Sequence, residues 1–237
     1  MSKFLLIHGS GGGAWYFRDL VPALKTYGHS TLAIDLPGHS KNLRRLKDVS
    51  LDAYHDAILD KINEPTTLVG HSMAGFPIAV AAEITPDNII QLICLSVYLP
   101  RDGLNMIDLI KTQREKPLHD EVLMRQDRLG FGLSLQGQKE LFYHDCTDTV
   151  RDYAIRNLQE QTVAPQTTRI SLGKAYENVA KSYIWSEYDR IIPPQYQLDM
   201  VSDWPDRIVH SIALGYSAAL ADAQKLAALM DQVSKDV

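Results

Sequence analysis

The chain is poor in the features that mark several protein classes. It has two cysteines, Cys94 and Cys146, in 237 residues, too few for a disulfide scaffold or a cysteine-based zinc site. No apolar run approaches the roughly 18 residues needed to span a bilayer, so no membrane segment is expected. Neither sign of charge dominates: 24 basic and 29 acidic residues give a net charge of −5. There is no basic stripe either, which argues against nucleic acid or an anionic membrane as partner. Internal repeats and low-complexity linkers are lacking too. The opening MSKFLLIHGS combines one lysine, a very short apolar stretch and a turn without a cleavage-like site, and it reads as a first strand rather than a secretory leader. What remains is 45% hydrophobic and 22% charged. The expectation is a mildly acidic, cytoplasmic protein with a single core that acts on something small.

Short apolar runs alternate with segments of helical period, the pattern of βα units around a mostly parallel sheet. The runs cover residues 4–7, 31–34, 66–69, 89–97, 182–185 and 208–213. Most are apolar throughout, as strands buried on both faces are. Between them, Phe17, Leu20, Val21 and Leu24 form one helical face, and Leu51, Tyr54, Ile58 and Ile62 another, with Ser50 as its N-cap. A last helix after the capping Asp222 buries Leu226, Leu229, Met230 and Val233. Residues from about 101 to 180 break the alternation. They are richer in charge, show no convincing strand, and look helical around 104–112, 138–142 and 150–158. Eighty residues are too many for a loop, so this stretch is expected to be a helical cap over one end of the sheet, where pockets of α/β proteins form.

Two motifs carry chemistry. In LVGHSMAG, residues 68–75, an apolar strand runs through Gly70, His71 and Ser72 into a helix. This is the pattern of a nucleophile on a sharp strand-to-helix turn, where the neighbours, here Gly70 and Ala74, must be small. The helix N-terminus beyond Ser72 aims backbone N–H groups at developing negative charge. His71 is expected to point away as a packed imidazole. The second motif, residues 7–15, follows the first strand with His8, Gly9, Ser10 and three further glycines. A phosphate loop is the rival reading, but the G-x-x-x-x-G-K-[ST] form and an acidic ribose reader are missing, so no cofactor is expected. The loop suits an oxyanion hole instead, with the N–H groups of Ser10 and Met73 as donors. His8 is expected to be structural.

Taken together, FLLIHGS…GAW, AIDLPGHS at 33–40, LVGHSMAG, FYHDC at 142–146 and SEYDRIIPPQYQ at 186–197 make the chain resemble an α/β-hydrolase. The resemblance is to the branch of small esterases that includes plant methyl-ester hydrolases, hydroxynitrile lyases and bacterial relatives, and it spans essentially all of residues 1–237. It implies one α/β-hydrolase domain with a cap at about 101–180, no metal, and a triad in the order serine, acid, histidine. Ser72 matches the nucleophile and Asp189 the acid; Asp35 reads as a turn residue. Lyases of this branch tend to carry threonine at the position of Gly9 and lysine at that of Ser217, so both residues favour an ester hydrolase.

The third triad member is missing from its place. The family's histidine sits in the loop after the last strand, and here that position holds Tyr216. The eight histidines, at 8, 29, 39, 55, 71, 119, 144 and 210, include none placed by sequence to bridge Ser72 and Asp189. A tyrosine, with a reference pKa of about 10, is a poor general base near neutrality. Three explanations stand open: an ester hydrolase crippled at one residue, a site whose chemistry needs no histidine, and a scaffold turned to ligand binding. The retained elbow, glycine loop and Asp189 favour the first, acting on a small, largely apolar carboxylic ester. Trp15, Phe131, Phe142 and Tyr143 are candidate pocket walls, and Cys94 a buried inert thiol.

Overall fold

Each of the six apolar runs forms a strand of one sheet in the computed structural model, which describes residues 1–235. In chain order the strands are β1 (Lys3–Ile7), β2 (Ser30–Ile34), β3 (Thr66–His71), β4 (Ile89–Leu95), β5 (Val122–Met124), β6 (Gly130–Leu133), β7 (Gln161–Thr162), β8 (Ala180–Ser186) and β9 (Val209–Ile212). Six of them make the main sheet in the order β2-β1-β3-β4-β8-β9, and every neighbouring pair is parallel. All six residues of β3 are buried, which is why that strand reads as a continuous apolar run and not as an alternation.

The helices close both faces of the sheet with the predicted stripes. Phe17, Leu20 and Leu24 have no exposed surface. The Ser50 side chain accepts the Ala53 N–H at the start of Leu51–Leu59, which buries Leu51, Tyr54 and Ile58. Asp222 caps Ala223–Val233 by accepting the Lys225 N–H, and Leu226, Met230 and Val233 are buried beneath it. Satisfying one of the orphan N–H groups at each helix start is what makes these residues good caps.

Connectivity fixes where a ligand can sit. From β1 the chain steps outward to β2 and then returns to the other side of β1 with β3. A topological switch point therefore lies between the C-terminal ends of β1 and β3, the crevice in which open α/β sheets bind their ligands. Ile7 pairs with Gly70 in the register, so the glycine-rich loop leaves its strand beside His71 and Ser72.

The chain between β4 and β8 adds no strand to the main sheet. It contains the helices Met106–Thr112 and Asp148–Asn157 and a wide helical turn at Gln138–Phe142, near the three predicted helical segments. The expectation of no strand in this stretch is corrected: β5, β6 and β7 form a small antiparallel sheet. β7 fastens the stretch to the glycine loop, since Gln161 Oε1 accepts the Gly11 N–H at 3.0 Å. Gln159 N–H also donates to the Gly11 carbonyl at 2.8 Å. Among the described residues no helix is long and apolar enough to cross a membrane.

Candidate active site

Ser72 stands at the end of β3 with φ of +55°, the left-handed region that a serine adopts only when its surroundings impose it. What imposes it is the close approach of strand and helix. A Cβ on Gly70 would lie 2.7 Å from Ile78 Cδ1 and 3.0 Å from the Ala74 carbonyl oxygen, so the turn requires glycine there, while Ala74 fits with its methyl fully buried.

His71 and His8 are structural, as expected. The His71 ring stacks on Tyr16 with centroids 4.6 Å apart, and its Nε2–H donates to the Tyr216 carbonyl at 3.0 Å. Burial pushes its pKa down to about 4, so it is a neutral packing group. His8 accepts the Leu36 N–H on Nε2 and therefore donates from Nδ1 to the Gly9 carbonyl, at 3.1 and 2.8 Å. Asp35 accepts the N–H groups of Ala14 and Lys41, the turn role predicted for it.

Asp189 follows β8 and is buried. Its Oδ1 accepts the N–H groups of Ile191 and Ile192 at 2.7 and 2.9 Å, and its Oδ2 accepts Gln197 Nε2–H at 2.9 Å. These donors favour the carboxylate, but burial outweighs them and pushes the pKa up to about 7. Tyr216 follows β9 and is buried as well. Its side chain lines one cavity with Ser72. Burial holds the phenol well above its ordinary pKa, the nearby Ser72 hydroxyl opposes this in part, and the negative charge of Asp189 adds to it. Ser72, Tyr216 and Asp189 are thus brought together by the ends of β3, β9 and β8.

A cavity of about 360 Å³ opens over this group. Ser10, Ser72 and Tyr216 line it together with Tyr98, Gln113 and Gln166, and its remaining wall is mostly apolar, including Ile110, Phe131, Phe142 and Ile191. Of the four aromatic residues predicted as walls, Phe131 and Phe142 line this cavity. Trp15 and Tyr143 instead border a much smaller void behind Gly9 and His71. His119 and Lys116, both exposed, also reach the cavity; His144 bonds the Tyr188 carbonyl, and His210 lies in β9.

Sequence reasoning missed Gln166. It is buried, and its Nε2–H donates to Ser10 Oγ at 2.8 Å and contacts Met73 Sδ at 3.6 Å. One amide thereby spans the two residues that flank Ser72. Tyr98 and Gln113 were missed too; the tyrosine hydroxyl donates to Gln113 Oε1, and Gln113 Nε2–H donates to the Ile191 carbonyl, two residues past Asp189. No motif marks these residues, because their place depends on long-range folding of the 101–180 stretch. Cys94 is the inert thiol expected, with a pKa pushed up to about 12 by burial.

Comparison with known proteins agrees with this architecture. Residues 4–229 match the family described as the alpha/beta hydrolase family. Methylesterase 4 of Arabidopsis thaliana is 25% identical over 98% of this chain and 96% of its own length. The (S)-hydroxynitrile lyase of Manihot esculenta is 25% identical over 98% of this chain and 97% of its own. The crystal structure of polyneuridine aldehyde esterase superposes with a TM-score of 0.85 at 20% identity, covering 99% of both chains.

Proposed function

This chain belongs to the alpha/beta hydrolase family, and from that premise we propose that it is a carboxylic-ester hydrolase by design, impaired at a single residue. Its substrate is a small, largely apolar carboxylic ester, and its compartment is the cytoplasm. Ser72 is the nucleophile, Asp189 the orienting acid, and the N–H groups of Ser10 and Met73 the donors to the oxyanion. Tyr216 stands where the general base belongs. The observation that carries this reading is that Ser72 and Tyr216 share the wall of one mainly apolar cavity, with the buried Asp189 close enough to Tyr216 to act on it electrostatically.

Acyl transfer to serine needs a group that takes the hydroxyl proton as the carbonyl is attacked and returns it to the leaving alcohol. A phenol held well above its ordinary pKa is protonated throughout the neutral range. It has no basic site to offer Ser72, and the serine attacks without assistance. What remains is binding in the cavity and stabilisation of the oxyanion, which leave a residual catalysis of about 10³–10⁴-fold over water. The space around the serine favours hydrolysis over the lyase chemistry found among relatives. A Cβ on Gly9 would stand 2.9 Å from Ser72 Cβ, which leaves no room for threonine there, and Ser217 is fully buried where those lyases carry a lysine.

A ligand-binding protein on the same scaffold is the second reading. It is favoured by a mainly apolar cavity whose buried polar wall is made of serine, tyrosine and glutamine, with no buried charged side chain lining it. The deciding assay offers a series of short-chain aryl esters to the chain and to Ser72→Ala. Slow hydrolysis that vanishes in Ser72→Ala is the expected result. Turnover equal in both proteins excludes the serine, and no turnover combined with a ligand-induced rise in Tm favours the binding reading.

A further inference from the structure

The FYHDC segment has no role in the chemistry above, yet it touches both loops that carry the candidate acid and Tyr216. Asp145 Oδ2 accepts the Gly215 N–H at 2.6 Å. His144 Nε2–H donates to the Tyr188 carbonyl at 3.0 Å, immediately before Asp189. The circuit closes between the loops themselves, where the Tyr188 N–H donates to the Leu214 carbonyl at 3.0 Å. Phe142 adds an edge contact to the Tyr216 ring, with centroids 5.0 Å apart. Gly215 is pressed so closely on this segment that a Cβ there would lie 2.5 Å from His144 Nε2 and 2.8 Å from Asp145 Oδ1.

We propose that Asp145 is a positioning residue that, with His144, fixes the loop at 214–217 against the loop of Asp189 and so aims residue 216 at Ser72. This rests on the hydrolase reading for its functional meaning, but the clamp itself is a matter of geometry. Two residues adjacent in sequence hold two loops that are 26 residues apart in the chain, counted from Asp189 to Gly215. The side chain at 216 follows a glycine, whose own backbone is the most permissive available. The carbonyls on either side of it, of Leu214 and Tyr216, are held by Tyr188 and His71, and Asp145 holds the N–H of the glycine itself. Aim matters because a misplacement of about 1 Å in a reacting group can cost about 10²-fold in rate. The segment thereby ties the 101–180 stretch to the reaction centre.

The test has one arm that needs no enzyme activity. In the chain as it stands, hydrogen exchange of peptides covering 214–217 is followed in Asp145→Ala and Asp145→Asn. Asparagine keeps an oxygen acceptor for Gly215; alanine does not. Exchange is expected to speed up in the alanine variant and to return towards the parent rate in the asparagine variant. The second arm repeats both substitutions on a Tyr216→His background with an aryl ester. There Asp145→Ala is expected to lower kcat by about 10²-fold with KM little changed, and Asp145→Asn to recover most of it. Gly215→Ala, whose added methyl pushes on the clamp from the other side, is expected to reproduce the alanine phenotype and carries the same test should Asp145→Ala not fold. If Tyr216→His is inert, the hydrolase reading fails while exchange still decides the clamp. Unchanged exchange in both Asp145→Ala and Gly215→Ala overturns the clamp and leaves the hydrolase reading standing.

Discussion

Replacing Tyr216 by histidine is expected to raise kcat/KM for short-chain aryl esters by about 10⁴-fold, the scale by which removing one triad member lowers such enzymes. The reason lies in the number and kind of atoms each ring presents. Imidazole has one nitrogen to accept the serine proton and a second, carrying hydrogen, to donate to a carboxylate. The phenol has one oxygen and keeps its proton, held well above its ordinary pKa by burial. The other two residues proposed for the site are fixed: Ser72 on its left-handed turn, and Asp189 by two backbone N–H groups and Gln197. Histidine is smaller than tyrosine, and the backbone at 216 is independently held through its carbonyl by His71 and Tyr16, so the exchange does not demand a new loop. Steady-state kinetics on the variant, with Tyr216→His/Ser72→Ala as control, reads the effect. A gain that survives loss of Ser72 would place the chemistry elsewhere.

Asp189 gives the second large effect, on stability and not on rate. Its pKa stands at about 7 in the folded protein and near 3.9 in an unfolded chain. The folded state therefore binds the extra proton between about pH 4 and pH 7, and stability falls as pH rises through that window. At about 1.4 kcal/mol per unit, the loss approaches about 4 kcal/mol by pH 8 relative to pH 4. In Asp189→Asn this slope should vanish. Asparagine also loses the bond from Gln197 Nε2–H, a fixed cost at every pH, so the diagnostic quantity is the difference between the two proteins across pH. Chemical denaturation at pH 4 and pH 8 is expected to show the variant gaining on the parent by about 4 kcal/mol over that interval. A parallel pH dependence in the two proteins would mean that Asp189 is already ionised in the fold and paired in some other way. The same buried acid supplies a reason for histidine at 216: an imidazolium beside Asp189 would stabilise the carboxylate that tyrosine leaves uncompensated.

Much of this was legible in the sequence because the main sheet is parallel and buried. Strands such as β3 have no exposed face, so their apolar runs stand out with little ambiguity, and the caps Ser50 and Asp222 mark helix starts by local chemistry alone. Ser72 and Ser10 lie in motifs at strand ends, whereas Asp189 and Tyr216 were assigned by the resemblance to the family and its chain order. The 101–180 stretch was less readable for equally physical reasons. β5, β6 and β7 are three, four and two residues long, too short for a period, and β5 is partly exposed, with Leu123 and Met124 half in solvent. Gln166 and Asp145 act over 156 and 70 residues of separation, and nothing local announces an acceptor for a glycine N–H in another loop.

In the proposed site Tyr216 occupies the base position and deprives Ser72 of nucleophilicity. The most direct measurement of this is the rate at which an aryl dialkyl phosphate modifies Ser72, followed by intact-protein mass spectrometry in the chain as it stands and in Tyr216→His. The expected result is slow modification of the parent and fast modification of the variant, with the adduct on Ser72 in both. Equal rates in the two proteins, or an adduct on any other residue, would contradict the account.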